Sequence, residues 1–305
     1  MKKQAIHIRT GLESTSFGFN TDGTGEEIIT AADLQRYLRS LCPVGEFSVD
    51  TIIIGNPDTK IRKAGTVWTP YFKTLENAVN EGINVLIVHG STFYMDKDPE
   101  DLGKEGQNYF NNMPPSAKEQ YSEVLETKKR WIINNGLVII RSFDVPNLIK
   151  NFGIPFGLGQ KLGFKNEDIV RSKDYYNVYQ VAKDTAANIA KKIASKLKDL
   201  DQPGVAFYGD PDRPVSTVGL GTGEICDPRA YAELNPDLCI GVDDTIWTWL
   251  QTSYAQDTGK PLVVINQGTS EEMGMRLLNE HLRRNIPSIE FVHINQGCDY
   301  KWITA

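Results

Sequence analysis

The chain has 305 residues, enough for one large domain or two modest ones with a real core. Hydrophobic residues make up 40%, charged residues 24% and aromatics 10%, a globular mix that excludes disordered, collagen-like and membrane-spanning compositions. Against 39 Asp and Glu stand 33 Lys and Arg, a formal charge of -6, so there is no broad basic field for a phosphate backbone and nucleic acid is not an expected partner.

Along the chain, residues 1–45 are the least informative, apart from a helix over 31–41 with Thr30 as its cap. They are read as a segment packing on the first half. The start MKKQAIHIRTG lacks an apolar signal core, and no window approaches the roughly 18 apolar residues that span a bilayer, so a cytoplasmic protein is expected. Val- and Ile-rich runs then predict strands at 51–55, 83–89 and 136–141, and later at GVAFYG, STVGLG, LCIGV, PLVVIN and IEFVHI. Between them, PYFKTLENAVNEG, SAKEQYSEVLETKKRWIINN and the long YYNVYQVAKDTAANIAKKIASKLKDL repeat apolar positions every three or four residues and predict amphipathic helices. GIPFGLGQKLGF reads as a Gly-rich turn and GDPDRP as another. Alternating strands and helices give an α/β class. The break at Asp201–Gly204 suggests a first half over 46–200 and a second over 201–305.

Cys42, Cys226, Cys239 and Cys298 form no CxxC pair, which predicts reduced thiols rather than a zinc ribbon or redox motif. The four histidines can be weighed singly. His89 ends the apolar run NVLIVH, which delivers it to the carboxyl edge of a strand, where ligand sites of open α/β sheets lie. Asp144 follows the run LVII in the same way, although alone it could form a turn. Glu271 follows PLVVIN, with Ser270 placed as the cap of the next helix. If three parallel strands of one sheet present these residues at a common edge, one imidazole and two carboxylates suit Zn, Mn, Fe or Co with open positions for water and substrate. Asp243 and Asp244 close the strand LCIGV and could cap the helix TIWTWLQTSY or reach the site edge, the cap being the preferred reading. The amides of Gly219, Gly221 and Gly223 could hold an anion, but the full GxGxxG pattern is missing and a tight turn is the preferred reading. His281 reads as solvated, and His7 and His293 as structural residues in strand-like runs.

From about Gly55 to Cys298 the order and spacing of segments resembles the Nif-three-like family, whose members are also labelled GTP cyclohydrolase I type 2 homologues and carry a dinuclear metal centre. TLENAVNEGINVLIVHG resembles the family's helix and strand ending in a His doublet, with His89 at the first His and Gly90 at the second. LVIIRSFD resembles its following strand, with Asp144 at the Asp, and NQGTSEEMGM resembles its late His and Glu, with Gln267 at the His and Glu271 at the Glu. The resemblance implies two α/β halves with mixed or mostly parallel sheets, a metal cleft between them and a homohexamer. Of five metal positions it leaves His89, Asp144 and Glu271, which implies one divalent ion per chain, with Gln267 and Arg141 turned to substrate.

The expected function is a metal-dependent hydrolase or lyase on a small polar molecule, acting through a metal-bound water. A non-catalytic metal-binding or regulatory assembly protein is the alternative. Nucleotide binding at the Gly219–Gly223 turn ranks third.

Overall fold

The computed structural model describes residues 4–7, 16–21, 27–46, 48–93, 108, 110–221, 233–244, 246 and 249–303. In chain order its elements begin with β1 (Gln4–His7), β2 (Ser16–Thr21), β3 (Glu27–Ile28), α1 (Ala31–Ser40), β4 (Ile52–Ile54), β5 (Lys63–Val67), α2 (Phe72–Asn80), β6 (Val85–Val88), α3 (Pro115–Asn134), β7 (Val138–Arg141) and α4 (Asp144–Leu148). They continue with α5 (Ile154–Leu162), β8 (Ile169–Lys173), β9 (Tyr176–Thr185), α6 (Ala186–Leu197), β10 (Ala206–Tyr208), β11 (Pro214–Leu220), β12 (Leu238–Val242), α7 (Trp249–Thr258), β13 (Leu262–Ile265), α8 (Gln267–Asn285) and β14 (Glu290–His293).

The chain forms two compact units, one of Met1–Val145 with Asn279–Ile294 and one of Pro146–Leu278 with Asn295–Ala305. The sequence expectation put the junction near residue 200, which lies inside the second unit. The break at Asp201–Gly204 ends a short 3-10 turn, Lys198–Leu200, within that unit. Composition could not mark the real crossings, because one of them runs along α8, a continuous helix with no linker signature.

In the first unit the strand order is β14-β5-β6-β7-β4. The first four are mutually parallel and β4 pairs antiparallel with β7, so the sheet is mixed. β6 and β7 are buried at every position, Arg141 included, as central strands with both faces covered are. α1 starts in a capping box: Thr30 Oγ1 accepts from Asp33 N–H at 3.2 Å, and the Asp33 carboxylate accepts from Thr30 N–H at 3.0 Å. β1, β2 and β3 form a separate three-stranded sheet. The sequence reading missed β5, whose run KAGTV is short and carries little apolar signal.

In the second unit the order is β10-β13-β12-β11-β9-β8, with β11, β12 and β13 parallel and the rest antiparallel. Two expectations change. The single long helix expected before residue 200 is a strand followed by a helix: Tyr176, Val178 and Tyr179 have strong strand propensity and pair between β8 and β11. Thr185 then caps α6, accepting from Asn188 N–H at 3.3 Å. The Gly-rich stretch is the helix α5, not a turn. Its glycines serve close packing, since a Cβ on Gly157 would fall 2.6 Å from Gly274 N, and one on Gly274 would fall 2.6 Å from Ile154 Cα. No helix among the described residues is long and apolar enough to cross a membrane.

Candidate functional site

At the carboxyl edge of the first sheet, β6 and β7 lie side by side with Val88 opposite Arg141, so the residues that follow them are neighbours. His89 is 1% exposed. Its Nδ1 lies 3.1 Å from the Ser142 carbonyl oxygen, and its ring stacks on Phe143 with centroids 4.8 Å apart. A carbonyl only accepts, so in the neutral ring Nδ1 carries the proton and Nε2 keeps the lone pair that can coordinate a metal.

Asp144 opens α4, and its Oδ2 accepts from Val49 N–H at 3.3 Å. What fixes this turn is a residue the sequence reading did not single out. Asp50, 2% exposed, accepts from the backbone N–H groups of Phe143 at 2.6 Å, Asp144 at 2.8 Å and Val145 at 2.9 Å. Burial raises the Asp50 pKa against the lowering effect of these bonds. The Cys42 thiol nearby is pushed up to about 11, by burial first and then by the charges of Asp50 and Asp144. No local motif reveals Asp50, since its partners are more than ninety residues away. Arg141 is 5% exposed, with its guanidinium 5.2 Å from the Phe143 ring centroid, so it also packs the aromatic that backs His89.

The sequence reading set Gly90 at the second His of the resembled family. A Cβ built there would collide with Thr69 Oγ1, so the position is filled from a neighbouring loop as well as lacking a ligand.

Glu271 and Gln267 belong to the second unit and follow β13 of the other sheet. The expectation that three strands of one sheet present the three ligands is therefore corrected: one sheet supplies His89 and Asp144, and Glu271 comes from another. α8 begins at Gln267, so Ser270 is inside the helix rather than its cap, and its hydroxyl donates to the Gln267 carbonyl at 2.7 Å. Gln267 Nε2 donates to Glu271 Oε1 at 3.4 Å, and Glu271 is 1% exposed.

Asp243 accepts from Gln267 N–H at 2.9 Å, and the start of the stretch TIWTWLQTSY that it was expected to cap lies outside the described residues. Asn266 Nδ2 bridges Asp243 at 3.1 Å and Asp299 at 2.6 Å. The Asp243 pKa is raised, chiefly by burial, with Asp299 adding to it. Tyr300 is pushed up to about 12 by burial and then by these acids. Of the proposed anion turn, Gly219 is in β11 and Gly223 lies outside the described residues.

His281, expected to be solvated, is instead packed in the first unit: its Nε2 lies 3.0 Å from the Tyr37 hydroxyl, and burial, helped by Arg284, lowers its pKa to about 4. A period-based reading could not see Tyr37 arrive from 244 residues away. His293 pairs its Nδ1 with Thr66 Oγ1 at 3.0 Å across β14 and β5. Among the described residues no three His, Cys, Asp or Glu side chains form a group placed to hold a metal.

No protein-family model matches the sequence, and no curated protein does. Solved structures match the fold. The Staphylococcus aureus hypothetical protein SA1388 superposes with a TM-score of 0.71 at 16% identity, over 91% of this chain and 100% of that one. A Bacillus cereus protein related to NIF3 gives 0.68 at 12% identity, over 92% and 100%. The fold is that of the NIF3-like proteins. Reduced HcgD from Methanocaldococcus jannaschii shares it, with a TM-score of 0.63 at 14% identity over 89% of this chain and 98% of that one. The NIF3-like fold accounts for the α/β class and the mixed sheets read above. At these identities it carries no activity with it.

Proposed function

We propose that this NIF3-fold protein binds one divalent metal ion per chain, with His89 as the anchoring ligand, and acts as a hydrolase or lyase on a small polar molecule. The observation that carries the reading is the buried His89 at the end of a parallel strand beside β7, its Nδ1 3.1 Å from the Ser142 carbonyl oxygen. Asp144 and Glu271 are the carboxylates that the resemblance to the Nif-three-like family assigns to the ion. A bound divalent ion supplies Lewis acidity near neutral pH. This chain's own contributions are to fix the imidazole tautomer through Ser142, to hold the α4 turn through Asp50, and to offer Arg141 and Gln267 to substrate.

Elemental analysis of the wild type and of His89→Ala, Asp144→Ala and Glu271→Ala proteins, purified without chelator or affinity-tag metal, tests it. One equivalent per chain, lost in the His89 variant, is the expected result. Unchanged metal in His89→Ala overturns it. Gly90 under Thr69, and Gln267 in place of an imidazole, favour a second reading: a non-catalytic regulatory or assembly protein in which the metal chemistry has been lost. A metal-free wild type after reconstitution with Zn, Mn, Fe and Co would select that reading.

A further inference from the structure

We propose that the second unit binds an extended apolar peptide with one acidic residue near its C-terminal end, which adds as a short strand to the open edge of β9 and lies along α6. β8 pairs with β9 from Lys173 opposite Tyr176 to Ile169 opposite Tyr179 and ends there, whereas β9 continues to Thr185. On its other side β9 leaves the β11 ladder as well. Gln180 stands opposite Thr217 and Asp184 opposite Val215, so Val181, Ala182 and Lys183 face the single residue Ser216. The Gln180 side chain bridges this bulge, its Nε2 donating to the Ser216 carbonyl at 2.9 Å. The backbone of these three residues therefore belongs to neither ladder, and β9 past Tyr179 is an open sheet edge.

A groove of about 590 Å³ meets this edge, and Gln180, Val181 and Ala182 all line it. Successive strand residues point to opposite faces, so three in a row on one wall mean that the groove reaches the strand at its edge, where backbone N–H and C=O groups point. The other wall is α6, which contributes Ile189, Lys192, Ile193 and Lys196, the i, i+3, i+4, i+7 stripe of one helix face. Ile189 and Ile193 are 5% and 2% exposed, and Phe164 packs with them to give an apolar floor. From Ile189 to Lys196 the helix rises about 10 Å, the length of about three strand residues at about 3.3 Å each. With α6 on the far side, the groove admits one strand and no growing sheet.

The charges set the kind of peptide. Lys192 is already neutralised, donating to Asp184 Oδ2 at 2.7 Å. Lys196, one turn further from Asp184, forms no ion pair among the described residues and holds its ammonium over Gly163 at the end of α5. A strand added antiparallel to β9, as β8 is, starts by Asp184 and ends by Gln180, so an acid near its C-terminal end meets Lys196. Asp168 also lines the groove and repels a second acid. Main-chain hydrogen bonds supply affinity, and the alternate side chains that enter the groove supply choice. These residues all lie in the second unit, and the proposal does not depend on the metal reading.

The test is calorimetric titration of the intact protein, with amide chemical shifts in NMR as a second readout, using the capped hexapeptide acetyl-Val-Thr-Ile-Thr-Glu-Thr-amide. A Kd of about 100 μM or tighter is expected. A strand turns only alternate amides towards its neighbour, so of two peptides N-methylated on alternate residues in the two phases, one should bind about tenfold or more weaker and the other nearly as well as the parent. Lys196→Glu, at an exposed position, should reverse the preference for the Glu peptide over its Glu-to-Lys counterpart. Ala182→Pro places a ring on the edge and should abolish binding; circular dichroism checks its fold, and Lys196→Glu carries the test if Ala182→Pro does not fold. No binding up to about 1 mM, an equal response to both N-methyl phases, or an unchanged preference in Lys196→Glu would each overturn the proposal. Self-association of the protein alone that Ala182→Pro removes would overturn it in favour of a second copy at this edge.

Discussion

Below pH 6 the first unit is expected to lose stability through His281. Burial against Tyr37, with the Arg284 charge adding, lowers the folded pKa from 6.5 to about 4. Because the folded value lies below the unfolded one, the neutral ring's contribution is complete above pH 6.5 and is lost as pH falls towards 4. Each pH unit in that window removes about 1.4 kcal/mol, so about 2 kcal/mol goes between pH 6.5 and 5 and about 3 kcal/mol by pH 4. Other groups also titrate there, so the informative quantity is the difference between wild type and His281→Gln, which keeps a polar side chain but cannot take up the proton. Hydrogen exchange of the α1 amides reports the first unit without assuming that both units unfold together. The stability advantage of wild type over His281→Gln should shrink by about 2 kcal/mol between pH 7.5 and 5. An advantage that is the same at both pH values would refute the argument.

Asp50→Ala leaves three backbone N–H groups of the α4 turn without their acceptor and should cost about 3–5 kcal/mol in chemical denaturation; a loss under about 1 kcal/mol would show that water replaces the carboxylate. Asp50→Asn, which keeps one oxygen, should cost less. Gly274→Ala pushes a methyl into the α5 backbone at Ile154 and should destabilise the second unit by about 1–3 kcal/mol, read as a lowered midpoint in urea, whereas a neutral Gly274→Ala would mean that α5 and α8 slide apart freely. Gln267→His replaces a weak oxygen donor by an imidazole and should raise metal retention against a chelator. Gly90→His should not raise it while Thr69 fills that space; equal gains from both variants would contradict the packing at Gly90.

How far the sequence reaches can be seen residue by residue. The runs VLIV and VII are apolar at every position, as a central strand with both faces covered accommodates, so β6 and β7 and the polar residues after them were readable from the sequence. The Thr30 cap of α1 was readable for the same local reason. Where a signal is shared between periodicities it failed: the helical repeat of Ala186–Leu197 was extended backwards over Tyr176–Thr185, whose strand identity depends on pairing with β8 and β11. Glycines in Ile154–Leu162 read as a turn, because only packing, Gly157 against Gly274 and Gly159 against Tyr179, explains why a helix would omit side chains there.

The site divides the same way. Sequence by itself determined that His89 and Asp144 follow strand-like runs, and the pairing of β6 with β7 makes those strands neighbours. Tertiary structure alone decided which ring nitrogen of His89 faces the Ser142 carbonyl, that Asp50 holds the Asp144 turn, that Asp243 serves α8, and that His281 is buried on Tyr37. Each of these depends on a partner tens to hundreds of residues away. Local periodicity carries the information for a strand or a helix, but a hydrogen bond across the fold exists only after the chain has closed on itself.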